Sequence, residues 1–354
     1  MRIVFTGGGT AGHILPNIAV FEELQKNTTG EALYIGSFDG PERAICGEYG
    51  VRFQGVSCGK FRRYFSWKNF LSPFQVVVGF FQSLAILRRF RAKVVMSKGG
   101  YVSFPVVLAA WVLRIPVILH ESDVSPGMAN RMCARLAKIV CVAWPETKFP
   151  GSRTVVTGIP VRDAILRGSR AEGLKLTGFS GKKPILLVMG GSLGAQFLNQ
   201  LVVKMLPELG KVYDVVHLPG RGGSPIAPQK NYISFEYLNR ELAHVYALTD
   251  VCLSRAGASA ISEFSSLKIP AVYVPLGTDG SSGDQILNAR KMEDCGGAVV
   301  IVQKNASVER VTSVLAELAS DGIRRAQMAD AAYEFGARCV RAASVVADLI
   351  FEKV

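Results

Sequence analysis

The chain has 354 residues, 49% apolar and 19% charged, which excludes an intrinsically disordered protein and is long enough for two domains of ordinary size. Its seven cysteines are an odd number with no CxxC pair, so reduced thiols in a cytosolic protein are expected rather than a disulfide scaffold or a cysteine metal site. The net charge of +13 is unevenly placed: residues 1–160 hold 19 Lys or Arg against 9 Asp or Glu, and from Tyr49 to His120 eleven basic residues meet no acid, which points to a polyanion, either nucleic acid or an anionic membrane, as partner.

The first predicted strand is RIVFT. No apolar leader precedes it, so a signal peptide is not expected. It runs into GGGTAGH and then a helical pattern. Gly7, Gly9 and Gly12 formally match GxGxxG. A dinucleotide fold also wants an acid ending its second strand, to hold ribose hydroxyls. Here that strand is ALYIG, Ser37 and Phe38 follow, and the first acid is Asp39, a poor match. A tight strand-to-helix turn with no ligand explains one such loop.

Next comes the acid-free stretch, with basic ends around an apolar middle. Asn69 to Leu87 is borderline for a membrane span, and Pro73, Gln75, Gly79, Gln82 and Ser83 interrupt it. A helix lying in the membrane interface suits it better, with Arg62, Arg63, Phe80, Phe81, Arg88 and Arg89 facing the lipid. The other reading is a core helix with a solvated basic rim, in which Phe80, Phe81, Leu84 and Leu87 are packed inside.

VVMS, VILH and IVCVA complete the strands of the first half; ILLVM, DVVHL, YISF, VCLS and AVYVP form the second. Alternation of such strands with helix-length amphipathic runs predicts parallel sheets covered by helices on both faces. The strand-plus-glycine unit recurs, as GGSLGA at 190–195, which puts backbone N–H groups at a helix N-terminus and favours phosphate. The account is two doubly wound α/β domains: 1–160, a linker at 161–183, a second domain at 184–335, and a final helix at 336–354 packing back on the first domain. A third loop, SRAGASAISE, allows close backbone approach, and Glu263 in it can accept from two ribose hydroxyls.

The ordered set TGGGTAGH, KGGYVSFP, HESD, GIPVR, GGSLGA, SRAGASAISE and DQILNA resembles the MurG family of bacterial peptidoglycan glycosyltransferases over essentially the whole chain. The resemblance implies a GT-B fold, two Rossmann-like domains facing across a cleft. It implies an inverting transfer of N-acetylglucosamine from UDP-N-acetylglucosamine to the muramyl C4 hydroxyl of lipid I, forming lipid II, with no bound cofactor or metal. It also implies a peripheral enzyme on the cytoplasmic face of the inner membrane. Its partners would be lipid I, anionic lipid and other cell-wall synthesis enzymes, with no nucleic acid.

Carried over residue by residue, the resemblance puts Thr10, Ala11 and Gly12 near the acceptor diphosphate and donor sugar. His13 becomes either the base or a positioning residue. Arg162 and Ser192 fall on the donor diphosphate, Ala258, Ser259 and Ala260 on the loop approaching the nucleoside, and Glu263 on the ribose. Gln285 and Asn288 fall on the sugar hydroxyls, and Asp123 where the family meets the donor sugar. The uracil contact lies near Leu238 or Asn239. Four positions depart from the family pattern: Phe104, Asp123, Leu193 and Asp284. They leave room for a related enzyme with another acceptor. A basic nucleotide-binding module for nucleic acid is the reading from a different class, and no RNA-binding motif supports it.

Overall fold

The computed structural model describes residues 1–27, 29–59, 68–223, 229–277 and 283–352. The chain divides into two compact units: Met1–Arg162 with Val340–Val354, and Asp163–Cys339.

The first unit runs β1 (Arg2–Thr6), α1 (Ala11–Asn27), β2 (Glu31–Ser37), α2 (Glu42–Glu48), β3 (Arg52–Val56) and α3 (Lys68–Phe90). It continues through β4 (Val94–Ser97), α4 (Ser103–Val112), β5 (Val117–Glu121), α5 (Met128–Ala134), β6 (Ile139–Val142) and β7 (Thr154–Val156). All seven strands are parallel, in the order β3-β2-β1-β4-β5-β6-β7.

The second unit opens with α6 (Asp163–Leu166) and α7 (Arg170–Thr177), then β8 (Ile185–Met189), α8 (Gln196–Val212), β9 (Asp214–Leu218) and β10 (Tyr232–Ser234). It goes on through α9 (Leu242–Leu248), β11 (Val251–Ser254), α10 (Ala258–Ser266), β12 (Ala271–Tyr273), α11 (Asp284–Asp294), β13 (Ala298–Val300) and α12 (Val308–Ser320). The last helix, α13 (Gly322–Phe351), starts in this unit and ends in the first. Its six strands are again all parallel, in the order β10-β9-β8-β11-β12-β13.

Both sheets therefore share one winding. The chain starts in the middle, moves two strands one way, returns, and moves out the other way. Central strands of such sheets are covered on both faces and read as continuous apolar runs. Val94–Ser97, Ile139–Val142 and Val251–Ser254 are buried at every position. Ile3, Phe5, Ile14 and Ile18 build the core on one side of the first sheet; Val95, Val106, Leu119 and Val140 build that on the other. Val346, Ala347, Leu349 and Ile350, from the end of α13, belong to the first of these cores.

In parallel sheets of this winding, ligands bind outside the carboxyl ends of the strands, where the order reverses. Those ends carry the loop after β1 in one unit and the loop after β8 in the other.

Candidate functional site

In the first unit the loop after β1 is held by neighbouring segments. Asn17 Nδ2 donates to Thr6 O at 3.0 Å and the Tyr34 hydroxyl to Gly7 O at 2.8 Å. Gly9 N–H donates to Glu42 Oε1 at 2.9 Å, and Gly8 N–H to Gly99 O at 3.3 Å. Gly9 has φ +96, a left-handed conformation that glycine adopts without strain. At the end of this loop Thr10 is exposed and Ala11, Gly12 and His13 are half-buried. Thr10 Oγ1 lies 3.0 Å from His13 Nδ1. Burial, reinforced by Glu42, pushes the Cys46 and Cys58 thiols up to about 12, so both are inert.

Glu121 organises the loop after β5. It accepts from Ser122 N–H at 2.8 Å, Asp123 N–H at 3.0 Å, Gly127 N–H at 3.0 Å and Asn130 Nδ2 at 2.9 Å. Trp144 Nε1 donates to Ser122 O at 3.0 Å and the Thr147 hydroxyl to Asp123 O at 3.2 Å. Behind this loop Lys98 is buried and its ammonium donates to Ser122 Oγ. Burial lowers the Lys98 pKa, while Glu121 and Asp123 oppose the shift. Asp123 thus lies within electrostatic reach of a buried cation. Phe104 is accommodated: it packs against the core that contains Val106 and Leu119, as part of α4.

Arg162 is buried at the end of the unit, its guanidinium donating to the Tyr49 hydroxyl and lying over that ring. On α3, Phe80, Leu84 and Leu87 pack inward, as the core reading expects. Phe81 does not: with Phe74 and Val77 it is exposed, at 62%, 69% and 51%, spaced along one side of the helix next to exposed Arg88 and Arg89. Arg62 and Arg63 lie outside the described residues.

In the second unit the loop after β8 stays open. Gly191 has φ +88 and nothing within 4 Å of where a Cβ would stand. Ser192 and Leu193 are exposed, Leu193 at 77%. Ala195 caps α8 without a side-chain hydrogen bond, and the first turn has no acid. Gly194 meets the next turn so closely that a Cβ would lie 1.9 Å from Pro219 O. Asn199 supports that turn, donating to Pro219 O at 3.0 Å, with its Oδ1 3.1 Å from His217 Nε2. His217 Nδ1 lies 2.9 Å from the Tyr232 hydroxyl, and burial pulls its pKa down to about 4.

The loop after β11 leads into α10, whose N-cap is Gly257 with no side-chain bond and no acid in the first turn. Ala258, Ser259 and Ala260 form that first turn. One turn on, the Tyr246 hydroxyl donates to Glu263 Oε2 at 2.8 Å. Arg255 is buried beside this loop and donates to Val274 O at 2.9 Å, its guanidinium 5.8 Å from the Phe197 ring centre. Gln285 Oε1 accepts from Leu276 N–H at 3.0 Å, tying α11 to the segment after β12, and Asn288 is fully buried. Helix starts without a capping side chain or acid leave amide groups and a positive helix end for an anion. The starts of α8 and α10 are of this kind.

Sequence reasoning found the loops and missed what braces them. Tyr34, Glu42 and Tyr246 sit on elements other than the loops they brace, Asn17 sits on the helix after the first loop and Arg255 within the third, and none of them carries a local signal of its bracing role.

The chain matches two family models, the glycosyltransferase family 28 N-terminal domain over residues 3–142 and the C-terminal domain over residues 185–344. It is 43% identical over 324 residues to a protein of Bacillus cereus named UDP-N-acetylglucosamine--N-acetylmuramyl-(pentapeptide) pyrophosphoryl-undecaprenol N-acetylglucosamine transferase 2, covering 90% of this chain and 92% of that one. It is 42% identical over 321 residues to a protein of Clostridium kluyveri with the same name lacking the final numeral, covering 90% of this chain and 91% of that one. Among solved structures it resembles the crystal structure of Acinetobacter baumannii MurG, with a TM-score of 0.75, 26% identity and 99% of both chains covered.

Proposed function

The chain belongs to the MurG family of glycosyltransferase family 28, and from that premise we propose that it moves N-acetylglucosamine from UDP-N-acetylglucosamine to undecaprenyl-diphosphate-linked N-acetylmuramyl-pentapeptide, making lipid II. The observation that carries the reading is the identity of 43% along 90% of the chain to a relative named for this transfer.

In this reading the second unit holds the donor. The amide ends of α8 and α10, with Ser192, receive the diphosphate. Ala258, Ser259 and Ala260 approach the nucleoside, and Glu263, held by the Tyr246 hydroxyl, takes the ribose hydroxyls. The family resemblance assigns Gln285 and Asn288 of this unit to the sugar hydroxyls and, on the first unit, Arg162 to the diphosphate and Asp123 to the donor sugar.

The first unit supplies the chemistry. The muramyl C4 oxygen attacks C1 of the donor sugar as the bond from C1 to the β-phosphate oxygen breaks. UDP leaves with the electron pair, and the α-linked donor gives a β-linked product. The hydroxyl proton goes to His13. Imidazole suits this because its charge changes near neutral pH. For Nε2 to accept that proton, Nδ1 must carry the other one, and Thr10 Oγ1 is placed to accept it.

Membrane contact falls to α3. Phe74, Val77 and Phe81 insert at about 25 cal/mol per Å² of apolar surface buried, and Arg88 and Arg89 meet anionic headgroups. Among the described residues no helix is long and apolar enough to cross a membrane. The exposed apolar and basic residues of α3 support a reading of peripheral attachment, on the face where UDP-sugars are available.

The deciding experiment is transfer of radiolabelled N-acetylglucosamine from the UDP-sugar to a lipid I analogue, with the anomer of the product read by NMR. A β-1,4-linked product is expected. No transfer to any polyprenyl-diphosphate saccharide would overturn the reading.

A further inference from the structure

One buried carboxylate has no part in the transfer as just described. Glu42, at the start of α2, is 0% exposed. Its Oε1 accepts from Gly9 N–H at 2.9 Å and its Oε2 from the Ser37 hydroxyl at 3.1 Å. Glycines from two segments stand against it. A Cβ on Gly8 would lie 2.1 Å from Oε1, one on Gly40 1.7 Å from Oε2, and one on Gly36 2.9 Å from the Glu42 Cβ. The cage around this carboxylate leaves no room for a ligand. A charged group taken out of water is costly unless hydrogen bonds compensate it. Here the compensation comes from a loop amide, from Ser37, and from the nearby start of α1, where helix amides favour negative charge.

We propose that Glu42 is a positioning residue for the transfer: it is the built-in anion of the first glycine loop, fixing Gly9 so that Thr10 to His13 are presented in one conformation. The proposal rests on the reading of His13 as the base. It gives the first loop a different task from the second. Gly9 N–H is already taken, so the loop is a mount for the reacting group before it is a cradle for phosphate. It also explains why the acid after the second strand fails as a dinucleotide signature: the carboxylate that matters points inward, three residues beyond Asp39.

The test is Glu42→Gln in the full chain, which keeps the shape and removes one acceptor and the charge. Cooperative melting near the wild-type temperature confirms the fold. With lipid I analogue as acceptor, kcat should fall on the order of 10- to 100-fold, the cost of a sub-ångström to ångström misplacement of a reacting group. KM for UDP-N-acetylglucosamine and calorimetric UDP affinity should stay within about twofold, because the donor loops lie in the other unit and would be untouched by a local change. If Glu42→Gln does not fold, Ser37→Ala decides in its place: it removes one partner of the carboxylate and should show the same split at smaller amplitude. Unchanged kcat in a folded variant overturns the proposal. So does equal loss of kcat and UDP affinity, which marks general loosening. A wild-type chain that transfers nothing overturns the functional reading as well, an outcome distinct from active wild type with an indifferent Glu42→Gln.

Discussion

Two loops written in nearly the same letters, GGGTAGH and GGSLGAQ, follow the central strands β1 and β8 of two sheets with one winding, yet one is filled and the other is open. The first is occupied by Glu42, 33 residues away in sequence from the Gly9 amide it binds. The second has open space beside Gly191, an exposed Ser192 and an uncapped helix start. The two backbone paths differ, with positive φ at Gly7 and Gly9 in the first loop and at Gly191 and Gly194 in the second. The difference that matters here is whether the chain brings its own anion to the loop. A glycine loop is thus a site for something negative, and only the surrounding fold says whether that is a ligand or a side chain.

The widest expected gap between the loops is kinetic. His13→Ala should lower kcat on the order of 10²- to 10⁴-fold, the usual contribution of general base catalysis, while calorimetric UDP affinity stays within about twofold. Equal damage to both quantities would break the division of labour between the loops.

The second loop should respond to acid through its support. Burial holds the His217 imidazole down to about 4, from an ordinary 6.5, so between these values the unfolded chain binds more protons. The stability tied to neutral His217 is present above pH 6.5 and is lost as pH falls toward 4. With full protonation the loss is about 3 kcal/mol. His120, fully buried in the first unit and also held well below its ordinary value, has the same sign. His217→Gln should flatten the fall of the urea midpoint between pH 6.5 and 4, leaving the His120 part. An identical slope in both proteins would remove His217 from the account.

Donor binding should grade along the Tyr246–Glu263 pair. Glu263→Ala should cost about 1.5–3 kcal/mol of UDP affinity, as expected of a hydrogen bond to a charged group, and Tyr246→Phe about 1 kcal/mol. Neither should weaken 2′,3′-dideoxy-UDP, which lacks the hydroxyls that Glu263 would hold. Equal losses for both nucleotides would mean that the pair supports the loop and does not read the ribose.

The smallest effects concern the membrane, at about 1 kcal/mol per basic residue near anionic lipid. Reversing Arg88 and Arg89 to Glu should reduce sedimentation with cardiolipin-containing vesicles and leave the UDP affinity of the second loop intact. Retained sedimentation by the folded variant would make those arginines a solvated rim.

Most of the fold was legible because buried parallel strands are long apolar runs. The strands missed were β3, β7 and β13, and all three lie at sheet edges. RFQGV alternates exposed and half-buried positions, and Thr154–Val156 and Ala298–Val300 have three residues each, too short to show a period. The glycine loops were legible as motifs. Glu42 was not, because nothing local distinguishes an acid aimed at a loop from one in the first turn of a surface helix. On α3 the sequence could not separate Phe80 from Phe81. Neighbours on a helix point about 100° apart, and the direction of the core had to be seen before one ring could be placed inside and the other outside.

The crossing of α13 from one unit to the other bears on how the chain is made. Residues 1–162 leave the ribosome first, but the apolar interior they belong to also contains Val346, Ala347, Leu349 and Ile350. The unit at 163–339 is contiguous and has all its residues before those four are synthesised. Translation order and completion order are therefore reversed, and the unit made first waits for residues 346–350, made after the whole of the other unit.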